Sequence, residues 1–395
     1  MAVVGAGAAG LVASIFAASI GADVILIERT ADGGRKILIS GGGRCNILPS
    51  VLSPERFVTG SPAHLMRGML RSWPLHEQRE FFEHDVGIPL ALEEESGKLF
   101  PRSNRARDVR DGLLALARAR GVRVQFDTSV TGLEAAGAAW TIKADQGDLA
   151  ADRVVFATGG LSVPTTGSDG TGLRVATKLG HHLIDTYPAL TPLLGDGRHT
   201  SLSGVSLNVR LRGRVEKKVI ETTGGFLFTH RGYSGPSVLD ISHLATTDPS
   251  AVIRVQWSPL DAAAWTKAFE APSATILSIV SRHLPARLAE QLMAEAAVHH
   301  TRRSGDLRRT ERTTLIERLT SYTLPWTGDE GYRKAEVTGG GVALDEVNPR
   351  TLESRRCPGI YLCGEMLDAF GPIGGHNFAW AWSTGRAAGL AAARR

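Results

Sequence analysis

The first 28 residues constrain the fold more than any other stretch. Ala2-Val3-Val4 is followed by Gly5-Ala6-Gly7-Ala8-Ala9-Gly10, an uncharged apolar run to Ser19, and Val24-Ile25-Leu26-Ile27 ending in Glu28. This order reads as strand, glycine turn, helix over residues 11–19 stopped by Gly21, and second strand. Glycines at the first, third and sixth turn positions each have a task. Gly5 makes the sharp turn, Gly7 lets the backbone approach a pyrophosphate, and Gly10 lets the helix close on the sheet. The exposed N–H groups of Ala6, Ala8 and Ala9 and the positive end of the helix dipole then favour a diphosphate. Glu28 stands where a carboxylate can accept hydrogen bonds from ribose hydroxyls, with Arg29 beside it. An acid there favours FAD or NAD over NADP. The lack of charge through residue 22 could suggest a signal segment. However, no basic region precedes it, and Gly5, Gly7, Gly10, Ser14 and Ser19 interrupt it, so the nucleotide-binding reading stands.

Which dinucleotide is bound depends on the rest of the chain. Its 395 residues suit two or three domains. Residues 105–120 read as a helix and 122–126 as a parallel strand, followed by an antiparallel meander over 129–149. Val154-Val155-Phe156 then runs into Ala157-Thr158-Gly159-Gly160. Another apolar strand over 359–363 ends in Gly364-Glu365, and a last helix begins after Gly374-Gly375-His376-Asn377. A nucleotide fold that opens at residue 2 and closes near residue 395 around a long insertion suits a flavin enzyme. There is only one complete G-x-G-x-x-G, hence no dedicated NAD domain. The expected organisation is an FAD-binding domain over 1–188 and 336–395, an inserted β-barrel-like domain over 189–257, and a helical subdomain over 258–335.

Composition narrows the function classes. Glycine, 45 residues, is about 11% of the chain against ~7% in ordinary proteins, as close backbone approaches require. Cys45, Cys357 and Cys363 form no CxxC pair, which excludes a disulfide framework and thioredoxin-reductase-like chemistry and makes a reducing cytoplasm the expected location. His181-His182 and His299-His300 lack companions at ligand spacing, so no metal is expected. The net charge of +5 does not demand an acidic partner. Residues 298–318 hold six arginines against three acids, read as a solvated helical face. A small-molecule substrate is expected, nucleic acid and membrane are not, and the oligomeric state is left open.

Further motifs carry a family resemblance. Gly34-Arg35-Lys36, Ser40-Gly41-Gly42-Gly43-Arg44-Cys45-Asn46, Ala157-Thr158-Gly159-Gly160-Leu161-Ser162 with Gly167-Ser168, and Pro188-Ala189-Leu190 occur in order. Gly225-Phe226-Leu227-Phe228-Thr229-His230, Ser234-Gly235-Pro236, Gly364-Glu365-Met366-Leu367-Asp368 and Gly374-Gly375-His376-Asn377 complete the set. Together they resemble a bacterial family of NAD(P)/FAD-dependent oxidoreductases, which includes aminoacetone-oxidase-like and 3-dehydro-bile-acid-reductase-like flavoproteins. The resemblance implies an α/β, Rossmann-like (glutathione-reductase-like) FAD-binding domain in two chain segments, with an inserted β-barrel and a small helical subdomain. It also implies flavin contacts for Lys36, Val130 and Glu365. The family more often carries tyrosine where His376 stands.

The residues agree with that picture in physical terms. The loop from Ser40 to Asn46 can lay Gly42, Gly43, Cys45 and Asn46 against a cofactor, while Arg44 either complements a diphosphate or forms a surface ion pair. Ala157, Thr158 and Gly159 close a strand near the nucleotide, and Glu365, beyond Gly364, can accept from a ribityl hydroxyl. The helix after Gly374 and Gly375 aims the N–H groups of His376, Asn377 and Phe378 at the flavin, which favours its reduced, anionic form. Candidate proton donors are His376, Cys45, His230 and Tyr233, the last two equally suited to a structural place in a barrel turn. The expected function is an FAD-dependent oxidoreductase of a small or medium organic substrate, with NAD(P)H as candidate transient donor. A flavin-dependent RNA-modifying protein and a non-catalytic flavin-binding sensor are the alternatives.

Overall fold

The computed structural model describes residues 1–215, 218–271 and 273–394. The chain divides into two compact units, one of residues 1–188 with 336–395 and one of residues 189–335.

The first unit is built on a five-stranded, wholly parallel sheet in the order Ile360–Leu362, Val154–Phe156, Ala2–Val4, Ile25–Ile27, Arg123–Gln125. Most residues of these short strands are buried, as parallel strands covered on both faces must be. Two helices, Ala8–Ser19 and His376–Ala393, lie side by side although they come from opposite ends of the chain. Glycine makes that approach close. A Cβ added at Gly385 would stand 3.1 Å from the Ala9 carbonyl carbon, and one at Gly389 would stand 2.8 Å from that of Ala13. Any side chain there would force the helices apart and open voids along their shared apolar face. The expected meander is present as Val130–Ala136, Ala139–Ala144 and Leu149–Ala151. A second small antiparallel sheet of Leu48–Pro49, Lys98–Pro101 and Leu90–Glu93 has no counterpart in the sequence reading.

The second unit holds a seven-stranded antiparallel sheet. Its central hairpin is Ser206–Val215 with Lys218–Phe228, and its outer strands are Tyr322–Thr323 and Trp326–Asp329. Those outer strands follow the helical stretch in sequence, so sheet and helices do not part at residue 257. Phe226 and Phe228 from the sheet, Trp257 just past the strand Ile253–Gln256, and Trp265, Leu288 and Leu292 from the helices share one hydrophobic core. No helix among the described residues is long and apolar enough to cross a membrane.

Candidate active site

The opening turn makes a bare cradle. Gly5 has φ +101°, and a Cβ there would stand 2.6 Å from the Ala157 carbonyl oxygen, so only glycine fits. Gly7 differs: its φ is −79°, and a Cβ there meets nothing within 4 Å. The space above Gly7 is therefore left by the fold rather than required by it. Behind it the helix Ala8–Ser19 begins with no side-chain cap, and its first intrahelical bond runs from the Leu11 N–H to the Gly7 carbonyl. Uncapped N–H groups, a positive helix end and a glycine facing open space fit a diphosphate. The same residues show no competing fit for a metal. Among the described residues, no three His, Cys, Asp or Glu side chains could hold one.

Glu28, expected to accept from ribose hydroxyls, already accepts three hydrogen bonds from the protein. One oxygen accepts from the Ala6 N–H at 2.7 Å. The other accepts from the N–H and hydroxyl of Thr30 at 2.9 and 2.8 Å, and the residue is 8% exposed. Its main work is to hold the glycine turn in shape. Arg29 lies outside the turn, paired with Asp169.

A second cluster gathers four distant segments. The Glu365 carboxylate accepts from the Lys36 ammonium, from the Ser162 hydroxyl and, at 3.0 Å, from the Thr338 N–H. Lys36 also donates to Ser162 at 2.6 Å, and the Thr338 hydroxyl accepts from the Leu161 and Ser162 N–H groups at 2.8 and 3.1 Å. Lys36 and Glu365 are both only partly exposed, so water screens their attraction less than it would at the surface. Gly159, with φ +72°, and Gly160 abut this cluster, where a Cβ on Gly160 would stand 3.2 Å from Glu365 Oε1. Ala157 is buried, Thr158 turns against Gly172, and Val130 is buried at the start of its strand. Ser162 stood in a resemblance motif without a role and Thr338 went unnoticed, because a hydroxyl amino acid carries no spacing signal for such a role.

The loop from Ser40 to Asn46 turns through positive φ at Gly41, Gly42 and Gly43, which are exposed, and again at Cys45. A Cβ on Gly42 meets nothing within 4 Å, leaving that glycine open to a ligand. Arg44 is not free for phosphate. It pairs with Glu93 at 3.0 Å and its guanidinium lies 4.0 Å from the Phe100 ring centre, the surface-pair alternative. Cys45 must be removed from the catalytic candidates. Its side chain is fully buried and burial pushes the thiol up to about 12, so no thiolate forms at neutral pH. Asn46 acts at long range: with its amide oriented to satisfy both groups, it donates to the Leu48 carbonyl and accepts from the Gly375 N–H, each at 3.2 Å.

That contact fixes the start of the closing helix. Gly374 and Gly375 have φ of +102° and +90°, and Gly364, where the preceding strand ends, donates to Thr384 at 3.0 Å. The Asn377 side chain accepts from the Gly371 N–H and donates to its carbonyl at 2.8 and 2.9 Å, which braces the loop before the helix. Phe378 stacks on Trp382 at 5.2 Å. His376 is buried, and burial first, then Arg56, pulls its imidazole down to about 4. Its Nδ1 faces the Ile373 carbonyl at 3.3 Å, which requires an Nδ1–H. Nε2 then carries no proton and makes no hydrogen bond of ordinary geometry with a described residue, although the Val51 backbone lies near the ring. At neutral pH His376 is therefore uncharged: it has no imidazolium proton to give and its free nitrogen is a weak base, which counts against its expected role as donor.

The His376 shift has a consequence for stability. An imidazole held at about 4 in the folded protein and at its ordinary 6.5 when unfolded favours the folded state above pH 6.5. That contribution is lost as pH falls from 6.5 to 4, by about 3 kcal/mol. His376→Asn keeps a donor for the Ile373 carbonyl and does not titrate. Denaturant melts at pH 7 and pH 4.5 should show a smaller acid loss for the variant. Equal losses would mean that the imidazole titrates normally.

His230 and Tyr233 belong to the second unit. His230 is exposed at the tip of a tight turn closed by the Thr229 N–H and the Gly232 carbonyl at 2.8 Å. Tyr233 is 1% exposed, its hydroxyl bonds His199 Nδ1 at 2.9 Å, and burial raises its pKa further from neutrality. It is a core residue and leaves the catalytic list. His199 in turn contacts Glu295 and Tyr322, both at 3.1 Å, a buried network with no signal in the sequence.

With this geometry in hand, comparison with known proteins is specific. A family model described as the HI0933-like protein Rossmann domain matches residues 1–391. The 3-dehydro-bile acid delta(4,6)-reductase of Clostridium scindens is 32% identical, covering 100% of this chain and 98% of its own. The ribosomal RNA dihydrouridine synthase of Escherichia coli is also 32% identical, covering 97% and 95%. Among solved structures, the 3-ketosteroid-delta4-(5alpha)-dehydrogenase of Rhodococcus jostii RHA1 superposes with a TM-score of 0.54 at 18% identity, covering 100% and 96%, a likeness of fold alone.

Proposed function

We propose that this chain, which belongs to the HI0933-like Rossmann-domain family, is an FAD-dependent reductase of carbon–carbon double bonds conjugated to a carbonyl, with NAD(P)H as electron donor. The observation that carries the reading is the open space above Gly7 in front of an uncapped helix. The substrate class comes from chemistry common to the two relatives' names. A 3-oxo steroid nucleus with a Δ4 bond and the uracil ring of uridine each present an alkene polarised by a carbonyl. Its β carbon accepts hydride and its α carbon a proton. Bound FAD would supply hydride transfer at its N5, chemistry that no side chain can perform.

The remaining work falls to the polypeptide. The helix end behind Gly7 binds the diphosphate, Glu28 keeps that turn in shape, and the Lys36–Glu365–Ser162 cluster fixes the segments that meet there. The test is anaerobic reduction by NADH or NADPH, followed at 450 nm, then addition of a 4-ene-3-oxo steroid or a uridine-containing RNA. Return of the oxidised spectrum with either acceptor supports the reading. Recovery with oxygen alone would leave an oxidase or a sensor.

A reading with RNA as the substrate has its own support in the charge distribution. The second unit carries 19 Lys and Arg against 14 Asp and Glu, so the chain's net +5 resides there and the first unit is neutral. Polyanion attraction needs such an imbalance on one body.

A further inference from the structure

We propose that the second unit carries a binding site for a single-stranded RNA segment, formed by the groove beside His299 and His300 and the arginine-bearing loop that follows. It rests on the reductase reading only in making that RNA the substrate.

The groove lies over the end of the helix Ala286–Glu295 and the turn after it, with a volume of about 610 Å³, within the range of small-ligand sites. Its base is apolar, from Met293 and Val298, both nearly fully buried. Its wall is the pair His299 and His300, exposed, with ring centres 4.1 Å apart and planes 37° from parallel. Glu290 stands at the rim as a carboxylate acceptor. A flat, partly apolar ring with N–H donors on its edge suits this lining, and a splayed-out nucleobase is such a ring. Bases commonly stack on histidine in single-stranded RNA sites.

The phosphates that accompany a base find their counter-charge in the same loop. Residues 299–309 hold Arg302, Arg303, Arg308 and Arg309 against the single acid Asp306. Arg302 is engaged by Glu311 at 3.0 Å. Arg303, Arg308 and Arg309 are exposed, and neither Arg303 nor Arg309 forms an ion pair with a described residue. Arg210 and Arg212, also exposed in this unit, share the carboxylate of Glu221. The loop is also held in place. Ile276 donates to the Arg302 carbonyl and Ser304 to that of Ala274, both at 2.9 Å, while Leu307 is buried. A pinned loop loses little entropy on binding, which favours a site over a merely solvated basic stretch.

The experiment is fluorescence anisotropy of the flavin-loaded full-length protein with a labelled single-stranded oligouridylate, from 50 to 300 mM salt. Wild type should bind with a clear salt dependence. Arg303→Ala with Arg308→Ala and Arg309→Ala should lower the slope of log Kd against log salt by about 2, three phosphate contacts fewer. His299→Ala with His300→Ala should weaken binding about 10-fold and leave the slope unchanged, because stacking releases no counterions. Both variants are first checked for wild-type melting temperature and flavin content. No binding by wild type, or histidine variants that bind the oligouridylate as wild type does, overturns the proposal. Neither result touches the reductase reading, which the steroid arm of the reoxidation experiment judges separately.

Discussion

Gly7→Ala yields a protein that folds normally and holds no flavin. The added methyl enters space that no protein atom occupies within 4 Å, and φ at Gly7 is −79°, an ordinary value for alanine. The loss of a favourable glycine N-cap and the gain from a less flexible unfolded chain nearly cancel. The apo melting temperature should therefore move by less than about 3 °C. Affinity for FAD should fall at least about 100-fold, since the methyl stands where the diphosphate must touch backbone. The ratio of absorbance at 450 and 280 nm after gel filtration, and titration of the apoprotein with FAD, measure the effect. Gly10→Ala is the contrasting variant: its Cβ would overlap the Gly5 carbonyl, so flavin and fold are lost together. A Gly7→Ala protein with full flavin occupancy would remove the cradle from the site.

Gly375→Ala is the second large effect, and it is one of stability. The position has φ +90°, and a Cβ would stand 2.6 Å from the Leu48 carbonyl carbon and 2.8 Å from the Pro49 nitrogen. Both obstacles are backbone in a paired strand, so neither can swing aside. Left-handed strain and overpacking together cost about 3 to 5 kcal/mol, or roughly 10 °C for a domain of this size. The Asn46 contact to the Gly375 N–H breaks as well. Thermal melts with and without added FAD read the result, and a variant melting within about 3 °C of wild type would mean that the closing helix is not held by this turn.

The nucleotide-binding half was legible because its signals are local. The glycine spacing from Gly5 to Gly10 places the turn, and Val154-Val155-Phe156 is a strand over those same residues. The helix expected over 105–120 spans Ala106–Ala119, and the closing helix begins at His376. What could not be read is pairing across distance. Lys36 meets Glu365 and Asn46 meets Gly375 only because the parallel sheet brings opposite ends of the chain together, and no sequence period encodes that. Arg44 and Glu28 show a related limit. Both have the charge a cofactor site wants, but a charged side chain binds whichever partner the fold places nearest, here Glu93 and the Ala6 N–H. The boundary at residue 257 failed to mark a separate core because Tyr322–Thr323 and Trp326–Asp329 return to the sheet, and two- to four-residue strands give almost no alternation to detect.

The glycine-lined contact between the helices Ala8–Ser19 and His376–Ala393 also sets an order of events during synthesis. The first of these helices packs through Phe16 on Trp73 and Phe81 and also on the helix Ala106–Ala119, all made soon after it. Its partner across the glycine-lined contact is made some 350 residues later, roughly 20 to 70 s at ordinary elongation rates. Residues 189–335 form one unbroken stretch and can fold during that wait. Until then the face of Ala8–Ser19 that the closing helix covers lacks its native partner.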